Sequence, residues 1–119
     1  MSAGVSNYNF PDHIKGDTFN GKTFTVTLNA VALNLTSAII NMDMRLTPTG
    51  TVVKSFTSVG SGGITINANP VLGKFTLDAQ LIDIAVGEYW YDIEIELSSG
   101  VVKTYIGGRW TILQDITYE

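Results

Sequence analysis

The protein is a chain of 119 residues with a formal net charge of −4, one histidine and no cysteine. A chain of this length fits one domain, which buries roughly two-thirds of the surface of its unfolded chain. Without cysteine there are no disulfides and no thiolate metal sites, and the acidic balance argues against nucleic acid as a partner. The chain starts without a basic, apolar leader and has no apolar run of membrane-spanning length, so we expect no membrane partner.

Residues 1–9 are small and mostly polar and show no periodic pattern. Such a segment buries too little apolar surface to hold a fixed structure by itself. We therefore predict a flexible N-terminal arm over residues 1–9, which becomes ordered against a partner. The folded domain is predicted over residues 10–119.

Apolar and polar side chains alternate over most of the remaining chain, and turn residues interrupt the alternation at short intervals. Alternation with a period of two is typical of half-buried strands, and no helical period appears. The clearest such segments are 22–29, 38–47, 51–57, 73–78 and 87–97. This pattern predicts an all-β fold, a single antiparallel β-sandwich of about 7–9 strands.

The longest alternation runs from Gly87 to Leu97 and leads into a turn at Ser98-Ser99-Gly100. One face of this strand carries Tyr89, Tyr91, Ile93, Ile95 and Leu97, and the other carries Glu88, Trp90, Asp92, Glu94 and Glu96. A two-residue turn at Ser99-Gly100 would place Glu96 opposite Lys103 and Ile93 opposite Ile106. That register pairs apolar with apolar residues and opposite charges with each other, so we predict it for the hairpin.

Residues 83–91 resemble the run into strand F of immunoglobulin-like domains, with Tyr89 at the tyrosine-corner position. This resemblance implies an Ig-like sandwich in which the hydroxyl of Tyr89 bonds to the backbone just upstream.

Most of the chain is similar to small β-sandwich proteins of phage and prophage tails, in particular to the N-terminal domain of phage baseplate upper proteins. The resemblance rests on glycine and aromatic motifs: Gly16-Asp17-Thr18-Phe19, Leu35-Thr36, Gly73-Lys74-Phe75, Gly87 to Ile93, Lys103 to Ile106, and Trp110-Thr111-Ile112. It implies a non-enzymatic structural component of a tail or baseplate, located in the virion. The expected partners are other virion proteins and further copies of the chain, in a homo-oligomer. The alternative is an Ig-like binding module that recognises a carbohydrate or a surface protein.

Two sets of polar residues contain the side chains that a chemical site would need. Asp92, Glu94 and Glu96 are spaced about 7 Å apart along one strand face, which suits a cation or a pair of catalytic carboxylates. His13 lies near Asp12 and Asp17, and these three side chains are donors of the kind that bind metals. A catalytic site also needs a cleft, and both sets fit an ordinary solvated surface. We therefore expect no catalytic residues, no metal site and no cofactor.

Trp90 lies on the polar face of its strand, between Glu88 and Asp92. A single exposed tryptophan among carboxylates is unusual in an isolated domain. Three interpretations remain open: a second core face, a protein interface, or a platform on which a sugar stacks. We predict that Trp90 belongs to a protein interface, whereas Trp110 is predicted to lie in the core.

Overall fold

The computed structural model describes residues 6–114. Within this range the chain forms thirteen strands and one short 3-10 helix, Pro70–Leu72. The strands are β1 Ser6–Asn7, β2 His13–Ile14, β3 Thr18–Phe19, β4 Lys22–Thr25, β5 Thr27–Leu28, β6 Val31–Ala32, β7 Ile39–Arg45, β8 Val52–Thr57, β9 Ile64–Ile66, β10 Lys74–Leu77, β11 Gln80–Leu81, β12 Gly87–Glu96 and β13 Val102–Leu113. Seven of them are three or more residues long, in agreement with the predicted number.

The strands form one large sheet and three smaller ones. The large sheet has the order β1-β13-β12-β7-β8, and β2 also pairs with β13. The second sheet has the order β4-β10-β9, and the pairs β3-β11 and β5-β6 complete the structure. Pairing between the strands is antiparallel except where β1 and β2 join β13, and an isolated parallel bridge links Thr57 to Gly63. No helix within residues 6–114 is long and apolar enough to cross a membrane.

The core lies between the sheets and is built from the inward side chains of both. Phe24 of β4 stacks on Phe75 of β10 and meets the ring of Tyr8 edge to face, at centroid distances of 5.4 and 5.6 Å. Trp110 of β13 is buried in the same cluster, as predicted, and stacks on Phe10 at 4.1 Å. The predicted all-β fold, a single Ig-like antiparallel β-sandwich, is confirmed.

The two faces of β12 separate as the sequence predicts. Tyr89, Tyr91, Ile93 and Ile95 are buried, and the side chains between them point outward. Buried side chains on alternate residues anchor the central strand of the large sheet, which pairs with β7 on one side and β13 on the other.

The predicted register of the β12–β13 hairpin is wrong near the turn. Glu96 lies opposite Val102, and Ile95 lies opposite Lys103. The loop holds three residues instead of two, because Gly100 donates its N–H to the carbonyl of Leu97 and adopts a φ of 91°. This is the arrangement of a turn followed by a glycine bulge, which shifts the pairing by one residue.

A second irregularity in the same hairpin restores the predicted pairing farther along. The register shifts between Ile93 and Glu94, so that Ile93 lies opposite Ile106 as expected. Tyr105 is the extra residue of this bulge, and both Tyr105 and Ile106 are buried although they are neighbours in sequence. A bulge re-aims one side chain, which is how two consecutive residues reach the core.

The tyrosine corner at Tyr89 is confirmed. Its ring is buried, and its hydroxyl donates a hydrogen bond to the carbonyl oxygen of Ala85 at 2.6 Å. This bond ties the segment before β12 to the strand, so it closes one end of the sandwich.

We expect Tyr89→Phe to lower the free energy of unfolding by roughly 1 kcal/mol or somewhat more, because the hydrogen bond is lost while the ring still packs. Urea melts of the variant and the wild type measure the change. Tyr105→Phe is the control, since it removes a hydroxyl from another buried tyrosine. Equal melting midpoints for wild type and Tyr89→Phe would contradict a stabilising corner.

The end of the predicted N-terminal arm lies against the protein's own large sheet. Residues 1–5 of that arm lie outside the described residues. Ser6 and Asn7 pair in parallel with β13, and the N–H groups of Tyr8 and Phe10 donate to the carbonyls of Gly107 and Arg109. The sheet edge that receives residues 6–10 thus belongs to the same chain, not to a partner as expected.

Candidate functional site

Trp90 stands near the middle of the outer face of the large sheet. It is 38% exposed, although it belongs to the central strand β12. Its cross-strand neighbours are Arg45 on β7 and Arg109 on β13, so the three side chains form one row across the sheet. The exposure rules out a second core face made by the chain itself. We call the surface formed by Asp43, Arg45, Glu88, Trp90, Asp92, Glu94, Glu96 and Arg109 the Trp90 face.

Arg109 covers one side of the Trp90 ring. Its guanidinium carbon lies 4.2 Å from the ring centroid, and its Nη1 donates to Oε1 of Glu88 at 2.9 Å. A guanidinium over an indole is attracted by the ring quadrupole, by about 0.5–1 kcal/mol at an exposed site. The ion pair with Glu88 holds the guanidinium in this place, so the indole has a defined orientation before any partner binds.

Arg45 lies on the other side of Trp90 and contacts two carboxylates. Its guanidinium nitrogens are 3.8 Å from Oδ2 of Asp43 and 4.0 Å from Oδ2 of Asp92. Asp43 and Asp92 are directly opposite each other on β7 and β12, and Ser55 donates its hydroxyl to Asp43 at 2.8 Å. Like charges in opposed positions repel, so Arg45 and Ser55 offset a local excess of negative charge.

The pKa of Asp92 is raised above its ordinary value. Desolvation by burial is the largest cause; the charge of Arg45 lowers the pKa and that of Asp43 raises it. The carboxylate of Asp92, two residues from Trp90, is therefore less well solvated than that of an ordinary surface aspartate. A group that is already partly desolvated loses less hydration when a partner covers it.

A shallow cleft of about 130 Å³ opens beside Trp90, lined by Arg45, Pro48, Trp90, Tyr91 and Asp92. It places an aromatic ring next to a guanidinium and a carboxylate. This combination can receive one apolar or ring-shaped group and hydrogen-bond its edge.

The carboxylate row Asp92, Glu94 and Glu96 points outward from a regular strand, as the alternation predicts. The predicted pair between Glu96 and Lys103 is not formed, because the hairpin register differs near the turn. Within the described part of the chain, no group of three or more His, Asp and Glu side chains is arranged to hold a metal ion.

His13 lies in β2 at the opposite end of the molecule from the hairpin turn and pairs with Ile112. Its Nε2 is 2.9 Å from the carbonyl oxygen of Asp17, and because that oxygen only accepts, Nε2 carries the proton. The ring lines a cleft of about 190 Å³ together with Asp12 and Trp110. The side chains of Asp12 and Asp17 are exposed, and the structure links His13 to a backbone carbonyl instead of a carboxylate.

Sequence reasoning located Trp90 but missed the two arginines beside it. Nothing in the spacing along the chain relates residues 45, 90 and 109. The signal that could have found them is the strand pairing, because opposed residues on adjacent strands lie about 5 Å apart.

Comparisons with known proteins assign no family. No protein-family model matches the chain. No curated protein matches it either. Among solved structures, the chain is similar to the crystal structure of CopC from Methylosinus trichosporium OB3b, with a TM-score of 0.48, 16% sequence identity, and coverage of 91% of this chain and 89% of that chain.

Proposed function

We propose that the protein is a non-enzymatic structural module that docks onto other proteins through the Trp90 face. Together with the resemblance to tail β-sandwich proteins, this surface supports the interpretation that the protein is a component of a phage or prophage tail or baseplate, located in the virion. The single observation that carries the proposal is the half-exposed indole of Trp90 at the centre of the large sheet.

The geometry around Trp90 has the properties of an interface centre. Tryptophan and arginine are enriched among the residues that contribute most to binding between proteins. Here one indole lies between two arginines, and ion pairs to Glu88 and Asp43 orient the arginines. A rigid sheet that holds these groups in advance loses little conformational entropy when it binds.

Incorporation into tail particles tests the proposal. The tagged protein is expressed in cells that encode the tail, particles are purified, and the bound chain is quantified. We expect Trp90→Ala to reduce incorporation at least tenfold, since truncating a central interface tryptophan costs about 2 kcal/mol or more. The control is Leu81→Ala, which truncates an exposed apolar residue of β11, away from the large sheet. The proposal would be contradicted if the wild-type protein were absent from the particles, or if the Trp90→Ala variant were incorporated as well as the wild type.

Assembly of several copies is the second part of the proposal. β8 is the last strand of the large sheet, and Val52 and Val53 on it are exposed. An exposed strand edge is able to pair with another strand, and closed rings of copies are a common result of such contacts. Light scattering of the purified protein measures the mass, which we expect to be a multiple of the 12.9 kDa chain.

A carbohydrate-binding module is the second candidate. The cleft beside Trp90 favours it, because it joins an indole to a guanidinium and a carboxylate. Retention of the purified protein on a glycan array, lost in Trp90→Ala, together with absence from tail particles, would favour this candidate over the first.

A further inference from the structure

The charge on the Trp90 face indicates what kind of partner it suits. This face carries five carboxylates, Asp43, Glu88, Asp92, Glu94 and Glu96, and two guanidinium groups, Arg45 and Arg109. The carboxylates outnumber the arginines, so the face is negative as a whole. A partner that covers it must bring positive charge, or the covered carboxylates lose hydration without compensation.

The negative charge is concentrated on one side of Trp90. Glu88 is paired with Arg109, and Asp43 and Asp92 share Arg45. Within residues 6–114, Glu94 and Glu96 form no ion pair, and both side chains are exposed. The uncompensated carboxylates thus extend from Trp90 along β12 towards the hairpin turn.

A second copy of the chain is a poor occupant of this face. In a two-fold contact the same patch lies on both subunits, and residues near the axis meet their own equivalents. When the axis passes through the carboxylate row, the row of one copy lies against that of the other. Like charges brought together in this way cost several kcal/mol. The chain's own oligomer contact therefore belongs elsewhere, for example on the edge of β8.

We propose that the Trp90 face binds an extended basic segment of a different protein, which presents an apolar side chain to Trp90 and Lys or Arg side chains to the carboxylate row. This inference rests on the proposed docking function and names its partner. Residues 90, 92, 94 and 96 are two apart on one strand, and alternate residues of any extended chain have the same spacing of about 7 Å. A segment with an apolar residue followed by cations at every second position matches the face residue by residue.

The probe is a labelled, end-capped peptide, Leu-Thr-Lys-Thr-Lys-Thr-Lys, whose binding to the full chain is measured by fluorescence anisotropy. We expect it to bind, and the matched peptide with Glu in place of Lys not to bind. Raising the salt from about 50 to about 500 mM should weaken the binding several-fold, because exposed charges are screened at the higher concentration. Trp90→Ala should weaken it as well.

The decisive variant is Asp92→Asn/Glu94→Gln/Glu96→Gln. It should bind the basic peptide about tenfold more weakly, since exposed ion pairs are individually weak and three are removed. The control is Asp12→Asn/Asp17→Asn/Asp83→Asn, which changes the net charge equally at exposed residues outside the Trp90 face and should bind like wild type. Thermal melts of both variants verify that they are folded.

Equal weakening in the two triple variants, or equal binding of the basic and acidic peptides, would overturn the inference. If light scattering instead shows copies that associate through this face and separate in Trp90→Ala, the docking function stands and the basic partner is rejected. If Trp90→Ala changes neither peptide binding nor incorporation into tail particles, both proposals fall.

Discussion

Ile95→Ala should lower the free energy of unfolding by about 2–5 kcal/mol. The side chain of Ile95 is fully buried, and β12 lies between β7 and β13 at the centre of the large sheet. Shortening it removes apolar contacts and leaves a cavity that rigid neighbouring strands cannot close. Chemical denaturation monitored by circular dichroism measures the loss.

Glu94→Ala is the matched control, because it is the adjacent residue and points to solvent. It should change the free energy of unfolding by no more than about 0.5 kcal/mol. Similar losses for the two variants would mean that the assignment of faces on β12 is wrong.

Gly108→Ala should destabilise the protein by about 3 kcal/mol, through a clash and not through a cavity. A Cβ at this position would collide with the carbonyl oxygen of Tyr8 and lie 2.8 Å from its carbonyl carbon. Backbone atoms cannot rotate away as a side-chain end can, so the segment over residues 6–10 must leave β13. The hydroxyl of Tyr91, which donates to the carbonyl of Tyr8, then loses its partner, and Phe10 loses its stacking on Trp110.

Gly87→Ala serves as the comparison, since it adds the same methyl group at the start of β12. Its nearest neighbour would be Cδ2 of Leu46 at 3.1 Å, and that side chain is exposed and able to move. We expect a change below about 1 kcal/mol. Hydrogen exchange of the Tyr8 and Phe10 amides should rise in Gly108→Ala and not in Gly87→Ala. A fully protected N-terminal segment in Gly108→Ala would contradict the explanation.

Much of the fold followed from periodicity alone. Alternation along residues 87–97 placed Ile95 inside and Glu94 outside, because successive side chains of a strand point to opposite faces whatever the strand pairs with. The hydrogen bond of Tyr89 to the backbone just upstream was expected from the resemblance of residues 83–91 to the run into strand F of immunoglobulin-like domains, and it joins two residues of one local segment. Such features depend on neighbours in sequence.

The pairing between strands was predictable only in part. The register expected for the hairpin held at Ile93 and Ile106 and failed at Glu96. Gly100 at a φ of 91° adds a residue to the loop, and the bulge at Tyr105 takes up the difference. The alternation along β12 continues unbroken past both irregularities, so it could not show them.

By itself, the sequence determined the all-β class and the inner and outer faces of β12, and it left open whether Trp90 is buried or exposed. Tertiary structure alone decided what surrounds Trp90. Arg45 and Arg109 are 45 and 19 residues away from it in the chain, and the pairing of β7, β12 and β13 brings them next to it. It also decided that residues 6–10 lie against β13, where Gly108 leaves room for the backbone of Tyr8. The physical reason is the same in both cases. Alternation is a property of one strand, whereas a site on a sheet depends on which strands are adjacent and on their register, and that is settled by packing across the whole core.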